Sequence, residues 1–409
     1  MPTMRKENPI KVLSHCRVCR STQTRFVTDF GELAVTNQFK TNAEKAAFRQ
    51  PISWHECGHC GVVQLTETPP LEQLRHEFPW LVYREPEGHL DATAADLIHN
   101  ADLKPQHCIV GLSQDDWPLL KRLQMCSVQL FDPVLDLDIT CSRYGMETVQ
   151  AQWTVDRARR LRQKYGAFDI MVARYALEHA HDAAEFLAAC QELLIPEGIL
   201  VIEVPDCSQA FRDFDVTVVW EEHVLYFTER TLLQGLSAAG FETLHFRRVP
   251  DPLEDRLVWI GRTTHSTKAQ AQPSAIVPTD PDVSRFAEQW PKQREALRVW
   301  AGSICKDGGR LAVFGAGHRA CTLIDVMGLA EFLDCIIDDS AEKQAFCFPA
   351  GALPIRGSEA LLDRKISYCL FAVNPGVEDR IVSRNAEYVA NGGTFVSCYP
   401  SSSRALRLR

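Results

Sequence analysis

The chain has 409 residues, more than one ordinary hydrophobic core holds, so two or three domains are expected. With 45% hydrophobic and 24% charged residues it has the make-up of a globular protein, and a net charge of −9 argues against a nucleic-acid surface. No run approaches the roughly 18 apolar residues of a membrane span, and the basic start lacks a secretory apolar stretch, so a cytoplasmic protein without a membrane partner is expected.

The front of the chain carries "HCRVCRS" and "HECGHCGVVQL", which place Cys16 with Cys19 and Cys57 with Cys60, two residues apart in each pair. Two such pairs are what a tetrahedral zinc ion needs, because each short turn aims two thiolates at one metal. Four sulfurs close the coordination shell, so the expected role is structural, with a small sheet between the pairs. His15, His55 and His59 are then neighbours and not ligands. The remaining cysteines lie singly, mostly in apolar runs, and read as reduced, buried thiols.

From about residue 76 short apolar runs alternate with helix-like segments, the pattern of an α/β domain with a largely parallel sheet. The strand Cys108 to Leu112 leads into "SQDDWPLL", a place where a nucleotide-type cofactor loop would ordinarily carry glycines. Here Ser113 and Trp117 occupy those places, followed by Pro118, which suits a first helical turn. Asp132 closes the next strand, where an acidic residue takes a ribose in nucleotide-binding folds. A further strand, Phe168 to Val172, opens onto a loop with Glu178, His179, His181 and Asp182. An amphipathic helix follows, and "PEG" turns the chain into "ILVIEVP".

The "LEH…D…F…LL…PEG" order resembles the class I S-adenosylmethionine-dependent methyltransferases. "VWEEHVLYFTERTLLQGLSAAGFE" is similar to the "YHEHxxYFxxxxLxxLLxxxGF" segment of the zinc-binding sugar C-methyltransferases, which methylate ketosugars linked to a nucleoside diphosphate. "LAVTNQF" and the cysteine-rich front resemble the same family's first domain. The resemblance implies S-adenosylmethionine as cofactor and a nucleoside-diphosphate sugar as small-molecule partner. It also implies His223 as catalytic base, Glu222 beside it, His179 on the loop after a central strand, and Tyr83 near the substrate. Trp220 and Glu221 depart from the family's tyrosine and first histidine. Against the family's "VEIGxNDG", the cofactor loop "VGLSQDDW" changes its glutamate to Gly111 and its glycines to Ser113 and Trp117, keeping Asp116. Gly111, Ser113, Asp115, Asp116 and Asp132 are the expected cofactor contacts, on a loop that is rebuilt. A methyltransferase-fold protein without the cofactor, moving only a proton on a nucleotide-linked substrate or binding it, is the alternative.

A polar Pro/Ser/Thr-rich connector (266–284) precedes a helix-like stretch, Phe286 to Cys305, and then "RLAVFGAGHRACTLIDVMGL". Strand, Gly315-Ala316-Gly317, helix is a nucleotide-binding turn, with Asp338 and Asp339 ending the following strand. "FGAGHRACTL", "DDSAEKQAFCFPAGALPI" and "AVNPG" resemble the family's C-terminal domain, which holds the substrate nucleotide. Gly315, Gly317, Arg319 and Lys343 are the expected contacts there. A nicotinamide-dependent oxidoreductase would rest on "GAGHRA" alone and leave the cysteine pairs unexplained. The expected architecture is α/β throughout: a zinc-binding module over 1–75, a class I methyltransferase-like Rossmann domain over 76–265, the connector, and a Rossmann-like nucleotide-sugar-binding domain over 285–409.

Overall fold

The computed structural model describes residues 13–41, 46–78, 80–81, 87–264 and 279–407. Their strands form three sheets. Strands β1 (Thr24–Ala34), β2 (Arg49–Cys57) and β3 (Val63–Leu65) form an antiparallel set between the cysteine pairs.

The central sheet opens with β4 (Cys108–Gly111), β5 (Ser127–Leu130), β6 (Phe168–Arg174) and β7 (Leu194–Pro205), which run parallel in the order β5-β4-β6-β7. The largely apolar, buried runs of β4, β6 and the second half of β7 suit strands covered on both faces, while β5 at the edge is half polar and only partly buried. Strand β7 begins ahead of "PEG", whose Glu197 takes φ +60, and the β6 register jumps there from Leu194 to Ile199. The "PEG" segment is therefore a kink within the strand element. Strand β8 (Leu225–Tyr226) leaves this region to become the fourth strand of the front sheet, beside β3. Strands β9 (Phe241–Val249) and β10 (Arg256–Thr263) complete the central sheet antiparallel to β7.

The third sheet holds β11 (Leu311–Phe314), β12 (Leu333–Ile337), β13 (Ile355–Arg356), β14 (Tyr368–Phe371) and β15 (Thr394–Ser397), all parallel in the order β13-β12-β11-β14-β15. The long helix before it, α1 (Pro281–Lys306), starts five residues earlier than the periodicity suggested and takes in the end of the connector. Asp280 caps it by accepting the Asp282 N–H, and Pro281 supplies a preset φ at its first turn. Most of the connector, 265–278, lies outside the described residues.

One hydrophobic cluster crosses these boundaries. Phe30 and Trp54 of the front sheet, Phe211 and Tyr226, Phe286 of α1 and Val313 of β11 belong to a single buried set. No helix among the described residues is long and apolar enough to cross a membrane.

Candidate active site

The four cysteine sulfurs come together as expected. Cys16 Sγ lies 3.7 Å from Cys60 Sγ and Cys19 Sγ 3.6 Å from Cys57 Sγ. Four sulfurs each ~2.3 Å from a tetrahedral zinc are ~3.8 Å apart, so the donors fit the ion. Backbone N–H groups of Val18, His59 and Cys60, and Gln64 Nε2, donate to these sulfurs, as suits thiolates carrying charge.

A cavity of about 530 Å³ is lined from the carboxyl ends of the parallel strands of both the central and the third sheet. Leu112, Phe131, Tyr175 and Pro205, at the ends of β4 to β7, line one side; His318, Arg319 and Asn374, after β11 and β14, line the other. The size falls within the range of small-molecule sites, and a crevice at strand carboxyl ends is where open α/β sheets bind ligands.

At its base His223 and His179 stand edge to face with ring centroids 4.8 Å apart. His179 Nδ1 lies 2.7 Å from Glu147 Oε1. Burial would drive the proton off His179, but the Glu147 carboxylate outweighs it and raises the imidazole above its ordinary value. His223 has no such partner; burial and the nearby His179, His318 and Arg319 push it well below, so it is neutral near pH 7. Glu222 is buried, not solvated, and desolvation together with Glu147 and Glu221 lifts its carboxyl well above the usual range. Asn37 Nδ2 donates to it at 3.2 Å. Glu221 accepts both the N–H and the hydroxyl of Thr36, at 2.6 and 2.9 Å, and burial pushes it up to about 7. Trp220 donates from Nε1 to Thr36 Oγ1 at 3.0 Å and stacks on His318 at 4.3 Å. The "VTN" of the front module thus grips the "WEEH" segment from outside the central sheet.

The cofactor loop solves its lack of glycine by capping. Ser113 is extended (φ −140) and Trp117 helical (φ −55), so neither place needs a left-handed residue. Asp116 accepts the N–H groups of Leu112 and Ser113 through Oδ2, at 2.8 and 2.9 Å, and that of Arg174 through Oδ1, at 2.8 Å. Both oxygens being occupied beneath the loop, Asp116 is a brace and not the cofactor contact anticipated. Gly111 is likewise internal, since a Cβ there would lie 2.8 Å from Asp116 Cβ. Ser113 and Asp115 do line the cavity. Asp132 is exposed between the lining residues Phe131 and Pro133, its Oδ1 accepting the N–H groups of Val134 and Leu135. Trp117 is absent from the cavity wall and packs on the cluster containing Leu90, Leu97 and Leu119.

On the opposite side only Arg319 of the four expected contacts reaches the cavity. It donates to Glu254 at 2.7 Å and to Thr217 at 3.1 Å. Gly315 adopts φ +105, and a Cβ there would come 2.7 Å from Val373 Cγ1, so its glycine serves close packing. Gly317 is the residue before the helix and does not line the cavity. Lys343 donates to Ala316 O and to Asp338 Oδ2, both at 3.0 Å, while that oxygen also accepts the Ala316 N–H. Lys343 and Asp338 therefore tie the turn shut from within, and Asp339 is held by Ser358. Tyr83 lies outside the described residues.

Three lining groups, His76, Glu147 and Arg256, had no signal in the sequence, being distant in the chain from a recognisable motif and neighbours only through sheet order, while Glu178, His318 and Asn374 lie within the "LEH", "GAGHRA" and "AVNPG" segments without having been singled out as contacts.

Three family descriptions match in succession along the chain: "Putative zinc binding domain" over 16–74, "Methyltransferase domain" over 80–245, and "C-methyltransferase C-terminal domain" over 271–400. The C-methyltransferase NovU of Streptomyces niveus is 21% identical over 421 residues, covering 96% of each chain. Among solved structures, the 1,6-didemethyltoxoflavin-N1-methyltransferase of Burkholderia thailandensis is 21% identical, covering 44% of this chain and 79% of its own, with TM-score 0.28. The magnesium protoporphyrin IX methyltransferase of Synechocystis is 8% identical over 44% and 83% of the two chains, with TM-score 0.28. Scores this low carry no argument beyond the sequence matches.

Proposed function

We propose that this chain, which belongs with the zinc-binding, S-adenosylmethionine-dependent C-methyltransferases, methylates a ketosugar linked to a nucleoside diphosphate, at the carbon next to the ketone. The observation that carries the reading is the histidine pair, 4.8 Å apart in one cavity, with the Glu147 carboxylate against His179 raising that ring above its ordinary value and burial pushing His223 well below it. That is the division of labour a proton abstraction next to a carbonyl requires.

Bound S-adenosylmethionine supplies an electrophilic methyl group. Ser113, Asp115 and the apolar Phe131, Leu137 and Met146 border the space for it, with Asp132 at the rim for the ribose hydroxyls. His223 accepts the α-proton, and the negative charge that then develops on the enolate oxygen raises its basicity from the value that burial and its cationic neighbours depress. His179 donates a hydrogen bond to that oxygen. With the cofactor bound, the carbanion would take its methyl group, leaving S-adenosylhomocysteine and the restored ketone, and His223 would then pass its proton to solvent. Glu222, fixed by Asn37, positions this segment. Arg319 and Arg256, now paired with Glu254 and Asp251, face the end where a diphosphate would exchange for those carboxylates. Four cysteines serve as zinc donors and the other eleven form no disulfide, which fits a reducing cytoplasm.

The test begins with calorimetric titration of the zinc-loaded protein by S-adenosylmethionine and S-adenosylhomocysteine, then product analysis with ketosugar nucleotides. His223→Ala should lower turnover by about 10²–10⁴-fold while leaving S-adenosylhomocysteine affinity within about threefold. Turnover retained by that variant excludes His223 as base. Cofactor binding without product from any ketosugar nucleotide excludes the acceptor class.

A further inference from the structure

An imidazole as enclosed as His179 keeps its proton only if an anion faces it. Glu147, near the start of helix α2 (Met146–Gln152), is that anion: Oε1 stands 2.7 Å from His179 Nδ1, and both side chains are buried, at 2% and 8% exposure. The contact depends on the residue just before the helix. A Cβ on Gly145 would lie 2.4 Å from Glu147 Oε2 and 3.0 Å from His76 Nε2, so only glycine leaves the carboxylate its place.

The other charged and titratable groups facing this pair come from every surrounding element. Asp115 comes from the cofactor loop, His76 from the front of the chain, Glu178 and His181 from the loop of His179 itself, with Arg17 beyond His181, and Glu222 and His223 from the "WEEH" segment. Glu222 is hydrogen-bonded to Glu147 and takes Asn37 Nδ2 on its other side. With two carboxyls in contact one must hold a proton, and the one facing His179 is the one stabilised as an anion.

We infer that Glu147 is a positioning residue for methyl transfer. It holds His179 by Nδ1 in one orientation and as a cation, so that the ketone oxygen meets a charged donor while the neighbouring His223 stays free to take the α-proton. The inference rests on the histidine assignment proposed above and adds the residue that makes the two rings unequal. Protonated His179 is then the active form, and activity declines as pH rises through its raised value.

The decisive measurement is the titration of the His179 ring by NMR in the zinc-loaded full chain, assigned by difference from His179→Asn. The expected midpoint lies above the ordinary 6.5. In Glu147→Gln the midpoint should fall below 6.5, kcat should drop by about 10²–10³-fold, and the acceptor KM should change by less than about threefold. The alkaline limb of the kcat profile should move to lower pH, and Glu147→Asp, which keeps the charge, should restore part of it. Should Glu147→Gln fail to fold, Gly145→Ala displaces the same carboxylate and should move the midpoint in the same direction. A wild-type midpoint at or below 6.5, or kcat in Glu147→Gln within threefold of wild type, overturns the inference. His223→Ala tests the base assignment separately, because the His179 midpoint is read without turnover.

Discussion

Trp117 shows how one residue can look decisive in a sequence and be neutral in space. An indole at a position expected to hold glycine would fill the cofactor's methionine site if the backbone kept its usual turn. Here the backbone is helical at Trp117, and the ring joins the cluster of Leu90, Leu97 and Leu119 on the far side. Trp117→Ala should therefore lower stability by about 2 kcal/mol, as expected for a partly buried aromatic, and leave S-adenosylhomocysteine affinity within about threefold. Denaturant unfolding and calorimetry on the same variant separate the two effects, and a tenfold change in affinity would place the ring in the site after all. Glu222 is the opposite case. As a letter it could be a surface glutamate, whereas its burial beside Glu147 makes it part of the site's charge balance.

At the scale of elements, the ends of the central strands are cross-tied by Glu203 of β7. It accepts Arg174 Nε from the end of β6 at 2.6 Å and the Tyr175 hydroxyl at 2.7 Å, and pairs with His89 Nε2 at 2.7 Å. Burial alone would raise this carboxyl, but the His89 hydrogen bond and the Arg174 charge bring it down to about 2 from 4.5. A depressed carboxylate contributes stability above its unfolded value, and that contribution is lost as pH falls through the folded one. Glu203→Gln should thus cost about 3 kcal/mol at pH 7, where it leaves Arg174 buried without its counter-charge. The gap to wild type should narrow between about pH 4.5 and 2. Urea midpoints across that range provide the check, and a gap independent of pH would mean the charge is not what holds these strand ends.

At the scale of the molecule, the zinc module holds segments that line the cavity, while its own described residues stay behind the cavity wall. Strand β8 follows His223 by one residue and is paired to β3, Leu65 N–H donates to Val224 O, and Val224 N–H donates to Glu178 O. The Ala184 N–H, just past the His179 loop, donates to Arg17 O between the two cysteines of the first pair. Removing the metal therefore releases both histidine-bearing segments at once. After chelation, hydrogen exchange should speed up in β1 to β3 and also at 224–226, and, because Trp54 and Phe286 share one core, in the first half of α1. Unchanged protection at 224–226 in the metal-free protein would show that the His223 segment is held by the central sheet alone.

The cysteine pairs, the alternation of strands and helices, and the "LEH" and "WEEH" segments were legible because each is a local pattern in which spacing along the chain fixes the geometry. Two cysteines two residues apart face one ion wherever the turn lies, whereas the Asp280-Pro281 cap, equally local, falls in the stretch that composition assigns to the connector, ahead of the helix start expected at Phe286. Glu147 could not be read that way, nor could the withdrawal of Lys343 and Asp338 into the Gly315 turn. The partners lie 32 residues apart for Glu147 and His179 and are separated by a helix and a strand, so burial and charge pairing arise only when the sheet closes. The protonation states of the two histidines belong to the same class. They follow from burial and from which carboxylate faces which ring, and only the tertiary structure decides that.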